Sequence, residues 1–322
     1  MTGMNGFLCR ELEVAYRGLT VLVTGSTGFI GQRLVKELLS YGGTVLAGVS
    51  GRSKSSASAI WLGQNNPHIF EYDLASELRV DQLKEFGEID LVFHLAAAGV
   101  HPTSANCPSV ITENTLGAYH LAKFLSFNKV SRLVCVGSCF EYGGGDHLSE
   151  TAELNPISVY ALSKILARDT LAWGTRSKKI DVAYLRPFTV FGPGERPDRL
   201  IPYVIDRVVH GEPAYISDGE QIRDFIFVDD VVAAFLQAGV HPNTAGETLN
   251  ICTGRGYPVR SIVELICATL GSNNADIRYG EVARRQTDTD ILVGDPSKAE
   301  RLMGWKSSVE IDQGIQSAIS TL

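Results

Sequence analysis

Short, dense apolar runs alternate with longer mixed stretches through the first half of this chain. Residues 20–24 read as a continuous apolar strand and 30–40 as a helix. Thr44–Val49, Ile69–Tyr72, Leu91–Leu95 and Leu133–Val136 repeat the strand pattern, with helical stretches between them. Short apolar strands alternating with helices predict an α/β fold with a parallel, doubly wound sheet. Its crossovers are expected to be right-handed. After Arg186-Pro187 the texture changes. Phe191-Gly192-Pro193-Gly194-Glu195-Arg196-Pro197 is a turn-rich break. Helices are expected over Ile201–His210 and Val259–Leu270, and a further one leads from the Arg223–Asp230 segment through Ala234. Residues 1–18 read as an N-terminal extension, ordered in part at most. The main sheet domain is expected over 19–189, and a smaller mixed portion over 190–322, with part of 222–240 returning to the sheet.

Composition narrows the function classes. The 322 residues are 44% hydrophobic and 20% charged, ordinary values for a globular protein. No apolar run is long enough to span a bilayer, and Met1–Arg10 does not resemble a signal peptide, so a cytoplasmic protein without a membrane partner is expected. A net charge of −7 and no dense basic block argue against a nucleic-acid partner. Cys9, Cys107, Cys135, Cys139, Cys252 and Cys267 lack metal-like spacing and are expected to be reduced thiols; no metal is expected.

The first chemical signature is Gly25-Ser26-Thr27-Gly28-Phe29-Ile30-Gly31, which follows the first strand and opens a helix. A side chain at Gly25 or Gly28 would block the tight turn and the approach of a pyrophosphate, and Gly31 allows helix and strand to pack closely. In this context the triplet predicts a dinucleotide site. After the second strand an NAD site usually carries an acid for the ribose diol. Leu46–Lys54 carries none; it offers Ser50, Arg52, Ser53 and Lys54 instead. Those groups would hold a 2′-phosphate, so NADP(H) is expected over NAD(H). Asp73 and Leu74 could meet the adenine. Leu95, Ala96 and Ala97 end the fourth strand with side chains small enough to leave room for the cofactor, and His94 before them reads as a packed histidine.

The second signature is Tyr160 and Lys164, one helical turn apart and sharing a face, after Ser138 at the end of the fifth strand. Ser138 can hydrogen-bond a carbonyl oxygen and Tyr160 can exchange a proton with it. Lys164 can hold the nicotinamide ribose and lower the phenol's pKa. Cys139 and Glu141 are reserve acid candidates.

These motifs, with Tyr142-Gly143, Arg186-Pro187-Phe188-Thr189-Val190-Phe191-Gly192-Pro193-Gly194, Arg223–Asp230 and Gly294-Asp295-Pro296-Ser297-Lys298-Ala299, closely resemble the extended short-chain dehydrogenase/reductase family, in particular its nucleotide-sugar-modifying members, over residues 19 to about 318. The resemblance implies an N-terminal Rossmann domain, a smaller C-terminal sugar-nucleotide domain and a homodimer. It implies substrate contacts at Ser138, Asn114, Thr189, Arg196, Arg223 and Arg285, the last two on a diphosphate. It extends the cofactor set to Pro187 and to Tyr160 and Lys164 themselves. The 4,6-dehydratases carry Thr-Asp-Glu where this chain has Ser138-Cys139-Phe140, so their acid–base pair is missing. Thr189 replaces the family's usual Asn. Glu141 and the lack of an acid after the second strand favour an NADPH-dependent reductase of a nucleoside-diphosphate 4-keto-6-deoxyhexose. The alternatives are a nucleotide-sugar 4-epimerase that retains NAD, and a non-catalytic NADP-sensing protein.

Overall fold

A computed structural model of the chain describes residues 6–51, 62–65, 67–74, 76–78, 83–101, 104–178 and 180–321. Arg52, Ser53 and Lys54, on which the expected 2′-phosphate contact leaned, lie outside them. In chain order the elements are α1 (Gly6–Tyr16), β1 (Thr20–Thr24), α2 (Phe29–Ser40), β2 (Thr44–Val49), β3 (His68–Glu71), β4 (Leu91–His94), α3 (Ser109–Phe127) and β5 (Arg132–Val136). There follow β6 (Gly145–Leu148), α4 (Val159–Thr175), β7 (Asp181–Pro187), β8 (Thr189–Phe191), α5 (Leu200–Val209), β9 (Ala214–Ile216) and β10 (Ile222–Phe227). The chain continues through α6 (Val228–Val240), β11 (Thr248–Ile251), β12 (Gly256–Pro258), α7 (Val259–Thr269), β13 (Ile277–Tyr279), β14 (Ile291–Gly294), α8 (Ser297–Met303) and α9 (Ile311–Ile319).

Among the described residues seven strands form one sheet, ordered β11-β7-β5-β4-β1-β2-β3, with every pairing parallel. The apolar runs are continuous because both faces are covered. Val21 and Val23 point to the side of α1, α2 and α6, packing with Leu12, Leu34, Leu38, Val231 and Phe235. Leu22 between them points the other way, toward Leu121 and Leu125 of α3 and Leu171 of α4. The α2 helix buries Gly31, Leu34, Val35 and Leu38, the one-face spacing of an amphipathic helix.

Two expectations change. Within the expected N-terminal extension, α1 over Gly6–Tyr16 is part of the fold and buries Leu12 and Tyr16 in the main core. The Tyr16 hydroxyl donates to the Leu236 carbonyl at 2.7 Å, and Gly239 leaves it the space. More of the chain beyond 190 returns to the main sheet than the part of 222–240 that was expected. β11 completes the main sheet next to β7, and Trp305 joins the same core. In exchange β6 leaves for a second sheet, β12-β10-β14-β6, with β8 paired to β10. That second unit packs around Phe191, Ile205, Phe225, Phe227, Ile262 and Ile315. Among the described residues no helix is long and apolar enough to cross a membrane.

Candidate active site

Strand register sets the site's edge. Gly48, Thr24, His94, Cys135, Tyr184 and Thr248 lie side by side across the sheet. The loops that follow therefore emerge at one carboxyl edge, where open α/β sheets bind ligands. His94 shares a 2.8 Å hydrogen bond with the Thr24 hydroxyl. Burial, and secondarily the charge of Lys164, push its pKa down to about 3, so it is a neutral, packed residue.

The turn after β1 fits a dinucleotide. Gly25 has φ +71, and a Cβ there would lie 2.6 Å from the Ala96 backbone nitrogen. A Cβ at Gly31 would overlap the Gly25 carbonyl oxygen, and Gly28 donates its N–H to that oxygen at 2.9 Å. The glycines thus close a tight turn against Leu95 and Ala96 and leave Thr27, Phe29 and Ile30 at the start of α2, whose N-terminus favours an anion. Ala97 and Pro187 stand at the same edge, and Ser50 follows β2. Leu74, by contrast, packs on α3 against Gly117. Gly25→Ala is expected to cost about 1–3 kcal/mol in backbone strain and to empty the site; thermal midpoint and dinucleotide content per chain would show both. Full dinucleotide content in a folded variant would contradict the assignment.

The chemistry-bearing residues converge from two elements. Ser138 caps a one-turn 3₁₀ helix over Cys139–Tyr142, its hydroxyl accepting from the Phe140 N–H at 3.3 Å. Ser158 caps α4 by accepting from the Ala161 N–H at 3.1 Å, and the Tyr160 N–H donates to the Ala105 carbonyl at 2.8 Å. Lys164 lies on the buried face of α4 with Ala167 and Leu171 and is 4% exposed. Gly99, with φ +77, makes room first for the Val110 side chain and then for the Tyr160 ring, which a Cβ there would approach to 3.3 Å. Burial pushes the Tyr160 phenol above its ordinary pKa; the charge of Glu141 adds to this, while a hydrogen bond from the Ser138 side chain and the charge of Arg199 oppose it. Burial lowers Lys164 to about 8, with Glu141 acting against the shift. The protein's own groups therefore leave the phenol above its usual range.

Asn114, expected among the substrate contacts, is 3% exposed and fully engaged. Its Oδ1 accepts from the Ala98 N–H at 2.7 Å, and its amide donates to the Ala98 carbonyl at 3.1 Å and to Ser163 Oγ at 2.8 Å. It ties the loop after β4 to α4. The two expected diphosphate arginines share one partner: Arg223 Nη2 lies 3.5 Å from Asp288 Oδ1, and the Arg285 N–H donates to Asp288 Oδ2 at 3.2 Å. Arg223 stands close enough to Cys139 for its charge to act on that thiol. Asp224 beside it is fully buried and accepts from Thr253, Gly254 and Gly294, which anchors the strand carrying Arg223. Thr189 lies on β8 opposite Phe225. Arg196 is exposed and pairs with Asp198 at 3.0 Å.

Neither reserve acid is placed for the task. Burial pushes the Cys139 thiol up to about 12. Glu141 is 0% exposed and its Oε2 takes the Arg186 Nε at 2.8 Å. Arg186 is the residue that sequence reasoning missed. A cation inside the run Ala183-Tyr184-Leu185-Arg186-Pro187 signals a buried partner, because a lone buried charge is prohibitively costly.

Comparison with known proteins agrees with this geometry. The model of the NAD dependent epimerase/dehydratase family matches residues 21–252. The UDP-glucose 4-epimerase of Lactobacillus helveticus is 28% identical over 93% of this chain and 96% of its own length. That of Mycolicibacterium smegmatis is also 28% identical, over 94% and 97%. Among solved structures, the UDP-glucose 4-epimerase of Thermotoga maritima, determined with UDP-glucose, is 26% identical with a TM-score of 0.85 over 94% of this chain and 98% of that one. MoeE5, determined with UDP-glucose and NAD, is 32% identical with a TM-score of 0.82 over 94% and 97%. These relatives overturn the expected ketoreductase: full-length similarity leads to 4-epimerases, and the missing acid after β2 was a poor guide to the reaction. The expected NADP preference likewise finds no backing, since the structure of MoeE5 holds NAD. With the glycine turn, the serine, the tyrosine and the lysine at one sheet edge, and a family match across most of the chain, this protein belongs to the NAD dependent epimerase/dehydratase family.

Proposed function

We propose that the protein is a nucleotide-sugar 4-epimerase that retains NAD and acts on a UDP-hexose. The observation that carries this reading is end-to-end similarity to UDP-glucose 4-epimerases in a chain that keeps Ser138, Tyr160 and Lys164. A bound NAD would supply hydride acceptance and return at sugar C4. The chain's own residues do the proton work. Tyr160 exchanges the proton of the sugar O4 hydroxyl, taking it as the hydride leaves C4 and giving it back as the hydride returns, and Ser138 donates a hydrogen bond to the same oxygen. Lys164 holds the dinucleotide's ribose, aided by the glycine turn. Inversion at C4 needs the ketone to present its other face before the hydride returns. Arg223 and Arg285 serve that need by gripping the diphosphate while the hexose turns. The sugar-nucleotide site belongs to the unit built on the second sheet.

We also propose a homodimer through α3 and α4. Leu116 and Tyr119 on α3 and Leu162 and Trp173 on α4 are exposed, Trp173 at 69%. Large apolar side chains left exposed on two helices that pack together suit an interaction face.

The test is to purify the protein, release and identify its dinucleotide, and incubate the untreated protein with UDP-glucose or UDP-galactose without added cofactor. Co-purifying NAD and appearance of the 4-epimer are expected. Stoichiometric consumption of added reduced cofactor with no epimer formed would sink the reading.

A further inference from the structure

Behind Ser138 lies a fully buried polar network that the proton steps do not use. Glu141 Oε1 accepts from the Ser138 N–H at 2.8 Å and from the Tyr184 hydroxyl at 2.9 Å. Its Oε2 accepts from Arg186 Nε at 2.8 Å, and Arg186 Nη1 donates to the Tyr142 hydroxyl at 2.9 Å. The Tyr142 hydroxyl donates in turn to Asn250 Oδ1 at 2.7 Å, reaching β11. The Arg186 guanidinium also stacks over the Tyr142 ring, 4.8 Å from its centroid. Gly137 completes the arrangement: a Cβ there would lie 2.8 Å from Glu141 Oε1 and would overlap the Tyr184 ring.

We propose that Glu141, held by Arg186, is a positioning residue of this catalytic centre: it fixes Ser138 through its backbone N–H and keeps one balanced negative charge next to Tyr160 and Lys164. The proposal rests on the catalytic roles given above to those three residues. An ion pair this deeply buried is weak as a source of stability, because desolvation offsets its attraction. Its geometry instead suits electrostatic control, since charges act strongly at short range in a dry interior. The other groups facing Tyr160 and Lys164 are Cys139 on the same turn, Cys135 on β5, His94 on β4 and Arg199 ahead of α5. His94, Cys135 and Cys139 are buried, and burial holds each in its neutral form. Arg199 is paired with Glu195 at 3.4 Å. Glu141 is thus the buried anion of the set, and Arg186 its counterweight.

Charge removal at the two positions should act with opposite sign. The anion favours the protonated forms of Tyr160 and Lys164. Glu141→Gln removes it and leaves Arg186, so both groups should lose their protons at lower pH. Arg186→Met leaves the anion without its counter-charge but still bonded by the Ser138 N–H and the Tyr184 hydroxyl, so while Glu141 stays ionised both should titrate at higher pH. Two readouts follow each group. The acid limb of kcat/KM reports Tyr160. Retention of dinucleotide in equilibrium dialysis at stepped pH reports Lys164, whose ammonium holds the ribose only while charged. Both midpoints are expected to fall by roughly one pH unit in Glu141→Gln and to rise comparably in Arg186→Met. The double variant, which removes both charges, should return close to the parent and is the version to use should Arg186→Met not fold. The dialysis readout needs no turnover, so it stands even where the epimerase reading fails. A folded Glu141→Gln protein with both midpoints unmoved would show that the pair only supports the fold, and would overturn the proposal.

Discussion

Tyr160→Phe should bind both ligands and turn over about 10²–10⁴-fold more slowly than the parent, the range that one general acid–base group supplies. Phenylalanine keeps the ring that rests in the space left by Gly99 and removes only the hydroxyl. Packing and cofactor content should therefore be unchanged, and the loss should fall on kcat. The structure strengthens the expectation by removing understudies. Cys139 is a buried thiol raised to about 12. Glu141 is tied to Arg186 and Tyr184. His94 is neutral well below physiological pH and bonded to Thr24. Single-turnover conversion of nucleotide sugar, quenched and resolved by chromatography, measures the effect without interference from product release. A variant rate within severalfold of the parent would mean that the proton is moved by a group outside this constellation.

Arg223→Ala should raise the KM for the nucleotide sugar roughly tenfold to a hundredfold and leave dinucleotide content untouched. A hydrogen bond to a charged group contributes about 1.5–3 kcal/mol, and a diphosphate offers the guanidinium more than one. Arg223 is 7% exposed on β10, held by the Ile222 carbonyl at 2.9 Å and by Asp288 at 3.5 Å. The 3.5 Å contact is long for a hydrogen bond, so an incoming phosphate can compete for the same donors. Asp288 is partly exposed, and water can take the place of the lost partner in the variant, so the fold should survive. KM and kcat measured separately distinguish anchoring from chemistry. An unchanged KM, or a fall in kcat alone, would show that Arg223 organises the loop around Asp288 instead of holding the ligand.

Much of the architecture was legible along the chain, because the period of apolar residues is a local property. Val21 to Val23 and Leu133 to Val136 could only be buried on both faces, and a parallel sheet between helices is the arrangement that does so. Gly25, Gly28 and Gly31 announced a tight turn, which at Gly25 and Gly31 no side chain fits, and four-residue spacing placed Tyr160 and Lys164 on one helical face. The reaction subclass was not legible, since a dinucleotide site and a Tyr–Lys pair serve reductases and epimerases alike, and fold does not dictate chemistry. What brings Ser138 to Tyr160, more than twenty residues away, is the docking of α4 against the 3₁₀ turn that follows β5, which no local pattern encodes. The same holds for Tyr16: its helix looked like a tail until the Leu236 carbonyl and the space at Gly239 gave its hydroxyl a buried partner. Glu141 and Arg186 stand 45 residues apart and choose each other because each is sealed from water by packing and must find an opposite charge there. Local periodicity thus determined the strands, the helices and the faces they share. The tertiary structure alone decided which buried charges and hydroxyls meet, since desolvation makes such groups select partners only once the core has closed around them.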